Sequence, residues 1–190
     1  MSIRNNYKHT LTASYFGYIT QAIVNNFAPL LFVTFQRSFG ISLEKIAGLV
    51  TVNFFMQLVV DLASAKFIDR IGYRVSIVAA HLFAGAGLIM LGTLPFALPD
   101  PYIGLLISIG FYAVGGGLIE VLISPIVEAC PTDKKSAAMS LLHSFYCWGH
   151  VAVILLTTLF FVTAGIKKLH FLPYLWAIIP FSNTVYFCLV

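Results

Sequence analysis

Glu120 is the residue whose type and setting point most directly to chemistry. It lies in an apolar run that begins near Tyr102, behind Gly115, Gly116 and Gly117 and ahead of Pro125. After a polar turn from Pro131 to Lys135, a second apolar run carries His143, Tyr146, Trp148 and His150. An ionisable group in a segment of hydrocarbon length costs on the order of 2.5–3.5 kcal/mol on insertion scales, so it faces a bundle interior, a partner or a wet cavity. A carboxylate so placed can bind and release a proton. Counted at 1.5 Å per residue from one side of the membrane, Glu120 lies ~13 Å deep, Asp61 ~9 Å and His143 ~10 Å. These depths suit a shared layer in which His143 or Asp61 tunes the proton on Glu120.

Amides and a phenol accompany the carboxylates at helical spacing. Tyr18, Gln21 and Asn25 fall at i, i+3 and i+7 of one run, and Asn53, Gln57 and Asp61 at i, i+4 and i+8 of the next, so each set marks one helix face. Singly, such amides often only tie neighbouring helices together; two ordered stripes beside a carboxylate predict a wet cavity. His143 and His150, seven apart, also share a face. Glu128 and the charges from Asp133 to Lys135 read as solvated.

The elements that hold these residues follow from composition. Of 190 residues, 59% are hydrophobic and only 9% charged, with mean hydropathy +0.93, whereas soluble domains carry about 25% charged residues. The apolar runs approach the ~20 residues that cross a bilayer and lack strand alternation. An all-α membrane protein is therefore expected, with six spans at roughly Thr10 to Gln36, Ile46 to Ala65, Val75 to Leu98, Tyr102 to Ala129, Ser136 to Ile166 and Leu169 to Val190. The first run is too long for a cleavable signal core. Cys130, Cys147 and Cys188 lack metal or redox spacing and read as free thiols. No cofactor or metal is expected, and no nucleic acid, because the net charge of +4 falls mostly in short gaps between spans.

Those gaps set the orientation. One side receives seven basic residues, Arg4, Lys8, Lys66, Arg70, Arg74, Lys134 and Lys135; the other receives four, Arg37, Lys45, Lys167 and Lys168. The bias predicts a multi-pass protein of the cell membrane with a cytoplasmic N-terminus. The centres of spans one to three recur in spans four to six at an offset of about 93 residues, which predicts two inverted three-helix repeats, 1–98 and 99–190. Span three, apart from His81, and span six, apart from Ser182 and Asn183, are nearly free of polar side chains. They are expected to support the other four from outside.

Between spans two and three, AKFIDRIGYR, Ala65 to Arg74, resembles the cytoplasmic loop signature of the major facilitator superfamily, G-x-x-x-D-R-x-G-R-[RK]. Asp69, Arg70, Gly72 and Arg74 match; Ala65 stands at the leading glycine and Tyr73 replaces an arginine. Asp69 is expected to cap or pair at a helix end, and Gly72 to permit the turn. In addition, GGGLIEVLISPIVEA and LLHSFYCWGH look like the fourth and fifth helices of the fucose and glucose permease branch, with Glu120, Pro125, His143, Phe145 and Gly149 at the matching positions. The resemblance implies half of a twelve-helix fold and a proton-linked carrier of a small polar solute such as a sugar, with the fourth-helix glutamate in coupling or binding. In the first helix this chain has Ala28 and Pro29 after Asn25 and Asn26, where fucose permeases carry an acidic residue, which leaves the substrate and the coupling stoichiometry open. A C-terminal six-helix half, from the same gene or a second copy, is the expected partner, along with lipid and protons.

Two rival readings stand beside this one. An intramembrane enzyme would use Glu120, Glu128, His143 and His150 as metal ligands or a hydrolytic set, although neither HExxH nor GxSxG occurs. A non-transporting membrane scaffold is the other.

Overall fold

The computed structural model describes residues 6–190, apart from the side chain of Ala65; Arg4 and the side chain at the leading position of the loop motif thus lie outside the described residues. Among them are six helices long and apolar enough to cross a membrane, and no strand. They are α1 (Tyr7–Phe39), α2 (Leu43–Ile71), α3 (Tyr73–Ala97), α4 (Pro101–Ala129), α5 (Lys135–Ala164) and α6 (Leu172–Leu189). This is the architecture of a multi-pass membrane protein.

Local chemistry sets the boundaries. The side chains of Asn6, Ser42 and Asp100 accept hydrogen bonds from the backbone N–H groups of Lys8, Lys45 and Tyr102, which satisfies donors that a helix N-terminus leaves free. Pro101 opens α4, where a missing N–H costs nothing. Gly72 takes φ +90° between α2 and α3, a conformation that side chains disfavour, and its N–H returns to the Ile68 carbonyl at 2.7 Å. Asp69 departs from expectation. It lies exposed in the last turn of α2, and the N-cap of α3 is Gly72 with no side-chain bond, so Asp69 caps neither helix. The sixth helix also starts later than the hydropathy suggests. Residues Ile166–Phe171 form a 3₁₀ segment, non-helical at Lys168, before Pro173 in the first turn of α6. Gly165 ends α5, and proline favours the start of a helix over its continuation.

α3 packs along both α4 and α6, α5 packs along α1, α2 along α4, and α1 crosses α4 and α6. Burial is uneven. In the apolar stretch of α4 61% of residues are buried, but only 22% in α2 and 17% in α5. Phe54, Phe55 and Leu62 of α2 and Trp148 and Leu155 of α5 are accordingly exposed.

Three consecutive glycines bring the neighbours of α4 close. A Cβ at Gly115 would meet the Ala84 nitrogen and Ala80 carbonyl of α3 at 2.5 and 2.6 Å. At Gly116 it would meet Val24 of α1 at 2.7 Å, and at Gly117 the Gln57 backbone of α2 at 3.2 Å. Each glycine therefore serves a different helix. Small residues at such seams permit the van der Waals contact that holds membrane helices together.

The supporting helices carry a polar joint of their own. His81, fully buried on α3, is joined through Nδ1 to the Ile77 carbonyl at 2.8 Å, and its Nε2 lies 2.9 Å from Asn183 Nδ2 of α6. The same Asn183 nitrogen donates to the Ala13 carbonyl of α1 at 3.0 Å. With a donor facing Nε2, the ring is neutral and carries its proton on Nδ1.

Gly115→Leu is expected to cost about 1–3 kcal/mol of stability by overpacking the α3–α4 seam. Gly110→Ala, where an added Cβ meets nothing within 4 Å, should hold or slightly raise stability because alanine favours helix. Thermal unfolding of both variants in detergent micelles measures the difference.

Candidate functional site

The polar layer is built where α1 crosses α4, with α2 and α5 on either flank. Gln21 of α1 is buried, and its Nε2 donates to Glu120 Oε2 of α4 at 3.2 Å. A carboxylate only accepts, so the amide nitrogen must face it and the amide oxygen must point away. That oxygen, Oε1, lies 3.4 Å from where a Cβ on Gly116 would sit, and no partner satisfies it. One turn along α1, Asn25 Oδ1 accepts from Gln57 Nε2 of α2 at 3.0 Å. One turn the other way, the Tyr18 hydroxyl pairs with Ser124 Oγ of α4 at 3.1 Å. From Tyr18 through Gln21 to Asn25 the α1 stripe thus touches α4, α4 again and then α2 in successive turns.

From the α5 side, the rings of His143 and Tyr146 lie 5.6 and 6.2 Å from the ring of Tyr18. Gly149 lets α5 approach α1: a Cβ there would stand 2.9 Å from Ala22 Cβ and 3.2 Å from Ile19 Cα. Phe145 stacks on Tyr15 at 5.0 Å. His150, half-buried, lies roughly 10 Å along α5 from His143 at 1.5 Å per residue, and so in a different layer.

Asp61 of α2 is half-buried. Its Oδ1 is sealed from solvent and has no hydrogen-bond partner, so the alternative of a bond to a loop arginine is not realised at that atom. Asn53 is buried two turns away, also with an unpartnered Oδ1.

Burial of the central carboxylate departs from expectation. Glu120 and His143 are exposed at the surface of the six-helix bundle, although Gln21, which bonds Glu120, is buried, as are Asn53 and Gln57 of α2. α2 and α5 flank α1 and α4 without closing over them, so the layer is an open polar face and no enclosed hollow. A cavity of about 610 Å³ lies elsewhere, lined by Tyr7, Thr10, Tyr73, Pro125 and Cys130.

Ser124 and the Gly116 floor were missed in the sequence, although Ser124 follows Glu120 by four residues, a spacing that puts both on one helix face. The loop motif residues Asp69, Arg70 and Arg74 stay at the helix ends, exposed and apart from this layer. Among the described residues, no three of His, Cys, Asp or Glu converge as metal ligands, so Glu120, Glu128, His143 and His150 do not form a ligand set. No family model matches the chain, and no curated protein matches it.

Replacing both Asn25 and Gln57 by leucine, singly and together, should give a coupling energy of about 0.6 kcal/mol, the usual worth of such a bond between membrane helices. A double-mutant cycle read by unfolding in micelles is the measurement.

Proposed function

We propose that this chain is a six-helix unit of a secondary transporter of the major facilitator type, moving a small polar solute by alternating access with proton coupling at Glu120. One observation carries the reading: a membrane-embedded carboxylate, held by a buried amide, sits on an unsealed polar face to which four helices contribute. Lipid is a poor cover for that face, because every polar group left against hydrocarbon is costly. A second six-helix bundle, in the same polypeptide or as another copy, would close it into an aqueous path.

The helix pairing supports the same reading. Exchanging each helix for the one three places along the chain turns the α1–α5 pair into α4–α2, and leaves the α1–α4 and α3–α6 pairs as themselves. Two three-helix repeats, 1–98 and 99–190, related by an axis in the membrane plane would give this pattern. Orientation with the N-terminus in the cytoplasm rests on the excess of Lys and Arg on that side.

The mechanism follows from the layer. Glu120 binds a proton while the face is open to one side, the solute fills the remaining acceptors on α1 and α2, and rocking of the bundle exposes both to the other side. Tyr18, His143 and Tyr146 line the α5 flank of that path.

The test is solute-driven proton flux. Purified protein in liposomes loaded with a pH-sensitive dye is challenged with a panel of hexoses, pentoses and polyols. At least one solute is expected to move protons, and Glu120→Gln should reduce that flux by about tenfold or more, equivalent to roughly 1.4 kcal/mol or more in the barrier. Coupling that survives Glu120→Gln overturns the reading.

A further inference from the structure

α5 and α6 follow one another in the chain yet hardly touch. α5 packs along α1 and α6 packs along α3, so a furrow opens between them, and a buried hydrogen bond from Trp176 Nε1 of α6 to Thr157 Oγ1 of α5 ties their inner sides at 3.2 Å. The furrow begins as a cavity of about 420 Å³ lined by Leu159 and Phe160 of α5 and by Leu172, Leu175, Trp176 and Ile179 of α6. Its walls offer hydrocarbon. The indole N–H is spent on Thr157, and the one hydroxyl of the lining, Thr163, donates to the Leu159 carbonyl at 2.8 Å.

Further along α6 the lining changes. Ile179 also borders a second cavity of about 300 Å³, where Phe16 of α1 meets Ser182 and Asn183 of α6. Counted from Leu172 at 1.5 Å per residue, Ile179 lies ~10 Å and Ser182 ~15 Å along the helix, and half of a hydrocarbon core of ~30 Å is also ~15 Å. The furrow is thus apolar through the depth of one leaflet and turns polar where the chains of that leaflet end. A partner helix would have to cross both leaflets, whereas a lipid tail occupies one.

The mouth of the furrow is basic. Lys167 and Lys168, both exposed, lie in the segment Ile166–Phe171 that joins α5 to α6 and so stand at its upper end. From Lys134 to Val190 the chain has no Asp or Glu. The acidic residues of the same face, Glu44 and Asp100, stand at the starts of α2 and α4, whereas the segment packs on α3, α5 and α6. The two lysines also run against the charge bias that orients the rest of the chain. A pair of cations above an apolar furrow matches a molecule with a negative head and a hydrocarbon tail, because lysine near a membrane surface attracts anionic lipid and an unfilled furrow forfeits dispersion contacts along its walls. We propose that the α5–α6 furrow is a binding site for a phospholipid of net negative headgroup, with one acyl chain lying from Leu172 to Ile179 and the phosphate held by Lys167 and Lys168. Phosphatidylglycerol is the probe. The site requires only the membrane setting of the six helices and does not depend on the transport reading.

Trp176 reports on the furrow directly. The chain has two tryptophans, and Trp148→Phe removes the other from an exposed position. Full-length protein with that change is reconstituted in phosphatidylcholine bilayers that contain a rising share of phosphatidylglycerol with brominated chains, since bromine quenches indole fluorescence at close range. Brominated phosphatidylglycerol is expected to quench Trp176 with an affinity about tenfold or more above that of brominated phosphatidylcholine, as two lysines at the headgroup would produce. Replacing both lysines by alanine, Lys167→Ala with Lys168→Ala, should bring that ratio to about one, while Lys167→Arg with Lys168→Arg should keep it, because either cation attracts a phosphate. Leu159→Phe narrows the furrow without altering charge and should weaken quenching by both lipids. Equal quenching by the two lipids in the Trp148→Phe protein, a preference that survives in the double alanine variant, or undiminished quenching in Leu159→Phe overturns the proposal. These readouts need no transport, so an absence of solute-driven proton flux sinks the transport reading and leaves this site standing.

Discussion

Close approach to α4 is the constraint on which the rest of the structure depends. Gly115, Gly116 and Gly117 are consecutive, so they point about 100° apart around the helix and let α3, α1 and α2 each reach the α4 backbone. With no hydrophobic drive between helices inside a bilayer, such contact and a few polar bonds provide the adhesion. The same glycines set the heights at which Gln21 meets Glu120 and Gln57 meets Asn25. A bundle spaced by larger residues would separate these groups beyond hydrogen-bond reach.

The two sides of the bundle use polar residues differently. At the back, His81 and Asn183 join α3, α6 and the start of α1 through a joint deep inside the protein, although the Asn183 oxygen is left without a donor. At the front, donors are used and acceptors remain: Gln21 and Gln57 spend their nitrogens on Glu120 and Asn25, while oxygens of Gln21, Asn53 and Asp61 stay unmatched. The back is a closed joint between three helices, and the front keeps several acceptors without a donor. Supporting helices and lining helices thus differ in chemistry as well as position.

Much of this was legible in the residues because hydrophobic length and helical spacing are local properties. The six spans emerged close to their observed bounds, and the stripes Tyr18, Gln21, Asn25 and Asn53, Gln57, Asp61 each lie on one face, since a helix repeats every 3.6 residues whatever surrounds it. The turn at Gly72 was legible for the same reason. The late start of α6 was not, because hydropathy does not distinguish a 3₁₀ turn from a helix and only the pairing of Gly165 with Pro173 marks it. Asp69 does not cap α3, because α2 continues past the apolar stretch to Ile71 and Gly72 stands at the α3 N-cap.

Sequence alone determined that carboxylates and amides occur within lipid-length helices and which of them share a helix face, because composition and periodicity need no knowledge of neighbours. Only the tertiary structure decided who meets whom: that Gln21 reaches Glu120, that Gln57 reaches Asn25, that His81 finds Asn183 and not the front face, and that Glu120 lies open to the outside of the bundle. Those outcomes depend on the rotation and height of one helix against another. Side-chain volume at seams such as Gly115 to Gly117 sets both, through contacts between residues far apart in the chain.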